Sequence, residues 1–269
     1  MRFALVMPRY NEQCTFEAAT AFYHPLKAGS PNRVVTPISP ASSLLACCFN
    51  MGWTHALDRF EAGDIDAFAM IHSDQAPEPG WLDILHDELI ASGADIMSAV
   101  CPIKDDRGLT STAVDDSGCT WRPRRLTMHE ILMLPTTFTD ADVGGELLLN
   151  TGLWICKLGP WALEKNPDGS LKHCFRITDM CRKEGDRHVA RVQPEDWDFS
   201  RQLRRAGLKL GATRAVQLNH WGATRYPNFE KWGWEEDLQN GPNASWRKPA
   251  DPAPAEPAAP AAEPELVGT

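Results

Sequence analysis

Long apolar runs are missing from this sequence. No segment approaches the ~18 consecutive apolar residues of a membrane-spanning helix. The first apolar stretch, Phe3 to Met7, is broken at once by Pro8, too soon for a secretory leader. Positive charge is scarce: 27 Lys and Arg stand against 36 Asp and Glu, a net charge of -9. Non-specific nucleic-acid binding depends on basic surface and is disfavoured, although a nucleic acid as a specific substrate stays open. The eight cysteines form no Cys-x-x-Cys pair. Cys47, Cys48, Cys101 and Cys156 sit inside apolar runs and read as buried free thiols of a reducing compartment, not as a disulfide framework or zinc site. These absences lead to the expectation of a cytoplasmic protein without a membrane span. Gly-x-Gly-x-x-Gly and Gly-Lys-Ser loops are absent too, so any nucleotide is held without those glycine cradles.

What is present centres on residues 66–81. Phe68 to Ile71 are continuously apolar, too short for a helix and suited to a strand buried on both faces. The run stops at His72, Ser73 and Asp74, and Pro77, Pro79 and Gly80 force a turn. Leu82, Leu85, Leu89 and Ile90 then keep helical spacing. A carboxylate and an imidazole at the end of a buried strand lie where open α/β sheets bind ligands, and the chemistry suits a divalent metal and a phosphate. Asp74 fits a loop or a helix cap equally well.

Similar runs at 3–7 and 95–100, with a weaker one at 34–35, alternate with helical segments at 41–61 and 81–90. That order predicts an α/β fold with a mainly parallel, mixed sheet flanked by helices. Ser39 or Ser42 is a candidate cap for the 41–61 helix. Inside it, Asn50 and Gly52 each cost about 0.5–1 kcal/mol relative to Ala, which a ligand, close helix–sheet packing or simple tolerance explains. Residues 147–156 read as one strand interrupted by Asn150-Thr151-Gly152, where glycine marks a bulge or a close approach to a ligand. A helix is expected over 158–165. Glu195, Asp196 and Asp198 open a helix after Pro194, which the helix dipole explains without chemistry. A strand over 208–218 ends at His220, a candidate metal ligand or acid–base group. The basic cluster Trp121 to Arg125 faces an anion or only water. From Pro249 onward six Pro, seven Ala, four acids and no base predict a disordered tail.

In this order the pieces resemble the GT-A fold of nucleotide-sugar glycosyltransferases, closest to the glycosyltransferase family 2 type. Asn50-x-Gly52, a buried strand and an Asp-x-Asp-like tip resemble that family's nucleotide-binding half. His72 stands where the family has its first aspartate, and Asp74 matches the metal-contacting one. The resemblance implies a Rossmann-like single domain over 1–246. Within it, 1–100 is the nucleotide half, 101–225 the acceptor half and 226–246 a Trp-rich flap with Trp232, Trp234 and Trp246; a tail covers 247–269. It implies a nucleotide diphosphate-sugar donor bordered by Pro8, Arg9, Asn11, Asn50, His72, Ser73 and Asp74. It also implies Mn²⁺ or Mg²⁺ on Asp74 and His220, and an acceptor hydroxyl of a glycan, protein, small molecule or modified nucleic acid near Asn150, Thr151, Gly152 and Trp197. Asp196 would be the general base of an inverting enzyme; in a retaining one Glu195 and Asp196 would position sugar hydroxyls. A nucleotidyltransferase and a non-catalytic sugar- or nucleotide-binding module are the alternatives.

Overall fold

In the computed structural model, which describes residues 1–10, 12–116 and 119–233, the apolar runs become strands covered on both faces. The expectations placed on Asn11, Trp234, Trp246 and the 247–269 tail lie outside the described residues. The first half gives β1 (Arg2–Val6), α1 (Phe16–Tyr23), β2 (Arg33–Ile38), α2 (Leu45–Glu61), β3 (Ala67–Ile71), β4 (Gln75–Pro77), α3 (Trp81–Ser92) and β5 (Ile96–Ala99). Then come β6 (Leu109–Asp115), β7 (Arg124–Thr127), α4 (Met128–Met133), β8 (Thr137–Thr139), α5 (Asp140–Val143), β9 (Glu146–Leu148) and β10 (Leu153–Lys157). The chain continues with β11 (Thr178–Glu184), β12 (Arg187–Gln193), α6 (Glu195–Arg205), β13 (Leu210–Thr213), β14 (Leu218–Trp221) and β15 (Arg225–Pro227).

A 7-stranded sheet in the order β2-β1-β3-β10-β5-β13-β8 forms the middle layer. β10 runs against both its neighbours and β8 against β13, while the rest run one way. This is a mixed, mainly parallel α/β sheet. Alternate residues of each strand feed opposite layers. Phe3, Leu5, Ala69 and Ile71 meet Phe22 of α1 and Trp81, Leu85 and Leu89 of α3. Ala4, Val6, Phe68 and Met70 meet Phe49 and Trp53 of α2 and Phe199 and Leu203 of α6. Burial on both sides is why these strands read as unbroken apolar runs. Among the described residues, no helix is long and apolar enough to cross a membrane.

Close approach of α2 to the sheet explains Gly52. A Cβ there would lie 2.4 Å from Val6 Cγ1. Gly52→Ala is expected to lower stability by about 1–3 kcal/mol through overpacking, read as an earlier urea midpoint at unchanged slope. An unmoved midpoint would mean that the helix shifts freely.

Several elements differ from expectation. α2 starts at Leu45, and neither serine caps it: Ser39 Oγ donates to Met7 O and Ser42 Oγ accepts from Leu44 N. The 147–156 strand is two strands in different sheets, because Asn150 Oδ1 accepts from Gly152 N at 2.7 Å and turns the chain. The 208–218 strand is likewise split into β13 and β14, with Thr213 Oγ1 accepting from Ala215 N at the break. The expected 158–165 helix shrinks to a 3-10 turn at Pro160–Leu163. The β11–β12 hairpin, turning at Gly185, was not foreseen; both strands are largely exposed and carry no apolar alternation. All eight cysteines are free, and Cys47 is exposed where burial was expected.

Candidate functional site

β1 and β3 are parallel neighbours, so the loops after them open at one edge of the sheet. The carboxyl ends of such strands are where open α/β sheets form ligand crevices. β4, directly after the Asp74 tip, pairs antiparallel with β14 in a register that sets His220 opposite Gln75. Trp221 N donates to Asp74 O at 2.9 Å, and His72 N donates to Gly152 O at 2.7 Å. The loop after β5 brings in Lys104. Together they line an open cavity of about 1020 Å³. Its walls are Pro8, Tyr10 and residues 12–15 after β1, Ser43 and Leu45 at the start of α2, and His72, Ser73, Asp74, Lys104, His220 and Trp221. α2 has no side-chain cap, so its positive dipole end borders this space.

The floor of the cavity is a convergence on one carboxylate. Lys104 Nζ donates to Asp74 Oδ2 at 2.6 Å, and His220 Nε2 lies 3.4 Å from the same oxygen. His220 Nδ1 is 2.6 Å from Pro102 O; a carbonyl only accepts, so Nδ1 carries a hydrogen. Burial opposes charge on His220, but Cys101 and Asp74 beside it prevail and raise the imidazole to about 10. Burial also pushes Asp74 up, yet the hydrogen bond and charge of His220 and the bond from Lys104 prevail, and the carboxyl is held below its usual range. Burial lowers His72 to about 4, so its ring, tilted against Phe49, is neutral at physiological pH. Asp74 Oδ1 and His72 Nε2 are buried with no hydrogen-bond partner among the described residues. Buried polar atoms of that kind are costly without a ligand or water. Among the described residues, no group of three or more His, Cys, Asp or Glu side chains is gathered to hold a metal ion.

Of the donor residues expected from sequence, Pro8, His72, Ser73 and Asp74 wall the cavity, with His220 beside them. Arg9 does not; its Nη2 donates to Ser39 O at 3.2 Å and ties the loop after β1 to the segment after β2. Asn50 is also turned elsewhere. Its Nδ2 donates to Phe175 O and its Oδ1 accepts from Phe175 N, each at 2.9 Å. The amide is spent holding the 173–176 segment against α2.

The residues expected near the acceptor are likewise engaged within the fold. Asn150 is committed to its own turn, and Asn150 and Thr151 are buried. A Cβ on Gly152 would stand 3.0 Å from Asn150 Oδ1 and from Gln75 Nε2, so its bareness serves packing. Trp197 is buried, donates its indole N–H to Ser111 O at 2.9 Å, and carries the Arg125 guanidinium 4.6 Å above its ring. The basic cluster is held in pairs: Arg122 with Glu184, Arg124 with Asp116 and Glu130.

Glu195 and Asp196 open α6 and are not among the walls of the cavity. Leu149 N donates to Ser200 Oγ, one turn along α6 from Asp196, and Asn150–Gly152 continues from there to His72. Burial, then the neighbouring Glu195 charge, holds Asp196 well above the usual carboxylate range, with Arg125 opposing. Burial raises Glu195 as well.

Sequence reasoning missed Tyr10, Thr15, Ser43, Lys104 and Trp221. Tyr10 adjoins the Pro8-Arg9 signal, and its ring is 56% exposed at the cavity mouth. Thr15 caps α1, accepting from Ala18 N, and a Thr followed by an acid at Glu17 was a legible helix start. Lys104 lay in a loop with charges of both signs and nothing to single it out.

No family model matches the chain, and no curated protein matches it. Among solved structures, the crystal structure of A197 from STIV aligns at 15% identity with a TM-score of 0.46, over 82% of this chain and 86% of that one. A likeness that slight carries no argument, and the chemistry rests on the site itself.

Proposed function

We propose that the chain is a GT-A-type glycosyltransferase that moves a sugar from a nucleotide diphosphate-sugar to an acceptor hydroxyl. The observation that carries this is the cavity at the ends of β1 and β3. Its volume of about 1020 Å³ lies at the upper end of the range for ligand pockets. Its mouth offers the exposed Tyr10 ring for a base to stack on. Its floor gathers the cationic Lys104 and His220 around Asp74, a surrounding suited to the charge of a diphosphate.

The resemblance implies Mn²⁺ or Mg²⁺ on Asp74 and His220. The residues present do not fit such an ion. One Asp74 oxygen already carries the Lys104 ammonium, and the remaining donors are largely imidazole, whereas these hard ions prefer oxygen. No step is assigned to a metal. In the reading proposed, Asp196 takes the acceptor's proton as its oxygen attacks the anomeric carbon. Its raised pKa suits a base working near neutral pH.

Thermal unfolding against a panel of nucleoside diphosphates tests the donor assignment. One base is expected to raise the midpoint by about 5–10 °C at ~100-fold excess over Kd, since binding to the native state alone stabilises it by about 2.7 kcal/mol there. No shift with any nucleotide would sink the assignment.

A further inference from the structure

We propose that Lys104 is the cation that receives the donor's diphosphate, standing where the GT-A resemblance puts a metal ion. The inference rests on the donor-cavity reading and assigns a residue to it. Lys104 Nζ is 2.6 Å from Asp74 Oδ2, the oxygen nearest His220 Nε2. The ammonium therefore occupies the ground that an ion shared by Asp74 and His220 would need.

The lysine is built into this position. Its stem runs past Gly222, where a Cβ would lie 3.0–3.3 Å from Lys104 Cβ, Cδ and Cγ. Any side chain at 222 would crowd the path of the lysine, which glycine leaves clear. Next to Gly222, the backbone bond from Trp221 N to Asp74 O fixes the carboxylate at the tip of the stem. An ammonium has three N–H donors and spends one on Asp74. The lysine side chain is 41% exposed, so the others are open to a ligand from the cavity. The unpartnered His72 Nε2 and Asp74 Oδ1 belong to the same floor, and a bound diphosphate and its sugar hydroxyls would supply their missing partners.

At the leaving group the chemistry needs a cation. The bond between the anomeric carbon and the β-phosphate oxygen breaks, and its electron pair leaves with that oxygen. The acceptor oxygen forms the new bond to the anomeric carbon, and its proton passes to the Asp196 carboxylate. Negative charge grows on the departing diphosphate, and a fixed ammonium beside it offsets that charge in the transition state. Lysine binds phosphate as a point charge and needs no fork geometry.

Equilibrium titration with the nucleoside diphosphate that shifts the unfolding midpoint, in chelator and in Mn²⁺, tests this. The wild type is expected to bind within about threefold as tightly in chelator as in Mn²⁺. Lys104→Ala and Lys104→Gln are expected to weaken binding in chelator by about 10- to 100-fold, the loss of a charged hydrogen bond. Both are expected to leave the parent nucleoside's affinity unchanged, which a merely structural lysine would not do. Lys104→Arg keeps most of the affinity, and Gly222→Ala loses part of it by pushing the lysine aside. Wild-type binding that requires Mn²⁺ and ignores Lys104→Gln would overturn the inference while leaving the donor cavity standing. Absence of diphosphate binding in both media would remove the donor reading and Lys104's role with it.

Discussion

Asp196→Asn is expected to slow release of nucleoside diphosphate from the nucleotide sugar by about 10²–10⁴-fold, the usual weight of a general base. Binding of the nucleoside diphosphate should stay within about twofold, because Asp196 is not a wall of the donor cavity. The pH profile carries the stronger signature. Burial and the Glu195 charge raise the Asp196 pKa, and only the carboxylate form accepts a proton. The wild-type rate should therefore climb as pH rises through that raised pKa and level off above it. Stability runs the opposite way. Between the ordinary Asp value of ~3.9 and the raised one, the folded state keeps a proton that the unfolded state has released. Stability then falls with rising pH, at most by about 1.4 kcal/mol per pH unit and by less for a side chain partly open to solvent. Asn removes that slope, so the variant should melt later than wild type at pH 8 and not at pH 4. A variant with full activity and an unchanged profile would dismiss Asp196 as the base.

Arg201→Ala is expected to cost about 3–5 kcal/mol of stability, because it strands a buried carboxylate. Arg201 on α6 binds Asp115 at the end of β6 through Nε at 3.2 Å and Nη2 at 2.8 Å, and the two side chains are only 9% and 11% exposed. The pair ties the helix bearing Asp196 to the small β7-β6-β9 sheet. Replacing both partners with apolar residues, Arg201→Met with Asp115→Leu, should recover most of the loss, since the desolvation of both charges goes with them. Urea midpoints for the two single variants and the double variant check this. A single-variant loss below about 1 kcal/mol would place the pair in the class of solvated surface pairs.

What could be read from the chain followed from burial. β1, β3 and β5 were legible because two-sided cover demands unbroken apolar residues, and α2, α3 and α6 because one-sided cover demands helical spacing. β10 was legible as a strand, but its direction was not: nothing local tells a chain to enter the middle of a parallel sheet backwards. The covered face of the β11–β12 hairpin carries Arg191 and Gln193 and imposes no apolar pattern. At the site, Asp74 and His220 stood out as polar residues at the ends of apolar runs. Asn50 stood out as well, for a reason invisible locally, since its partner Phe175 lies 125 residues away. Trp197 was placed near an acceptor only by the resemblance, and its indole is spent on Ser111. Lys104 is ordinary in its own neighbourhood and acquires meaning only from Gly222 and Asp74, which other parts of the chain deliver.

The short pairing of β4 with β14 also sets a schedule. The last strand of the large sheet is β13, and β14, with His220 and Trp221, comes after it. Asn228 then locks β14 in place, accepting from Leu218 N and donating to Val100 O and Val216 O. As the polypeptide leaves the ribosome from its N-terminus, the large sheet can be whole while His220 and Trp221, which complete the floor beside Asp74 and Lys104, are still unsynthesised. An incomplete chain therefore carries Asp74 and Lys104 without the imidazole that faces them.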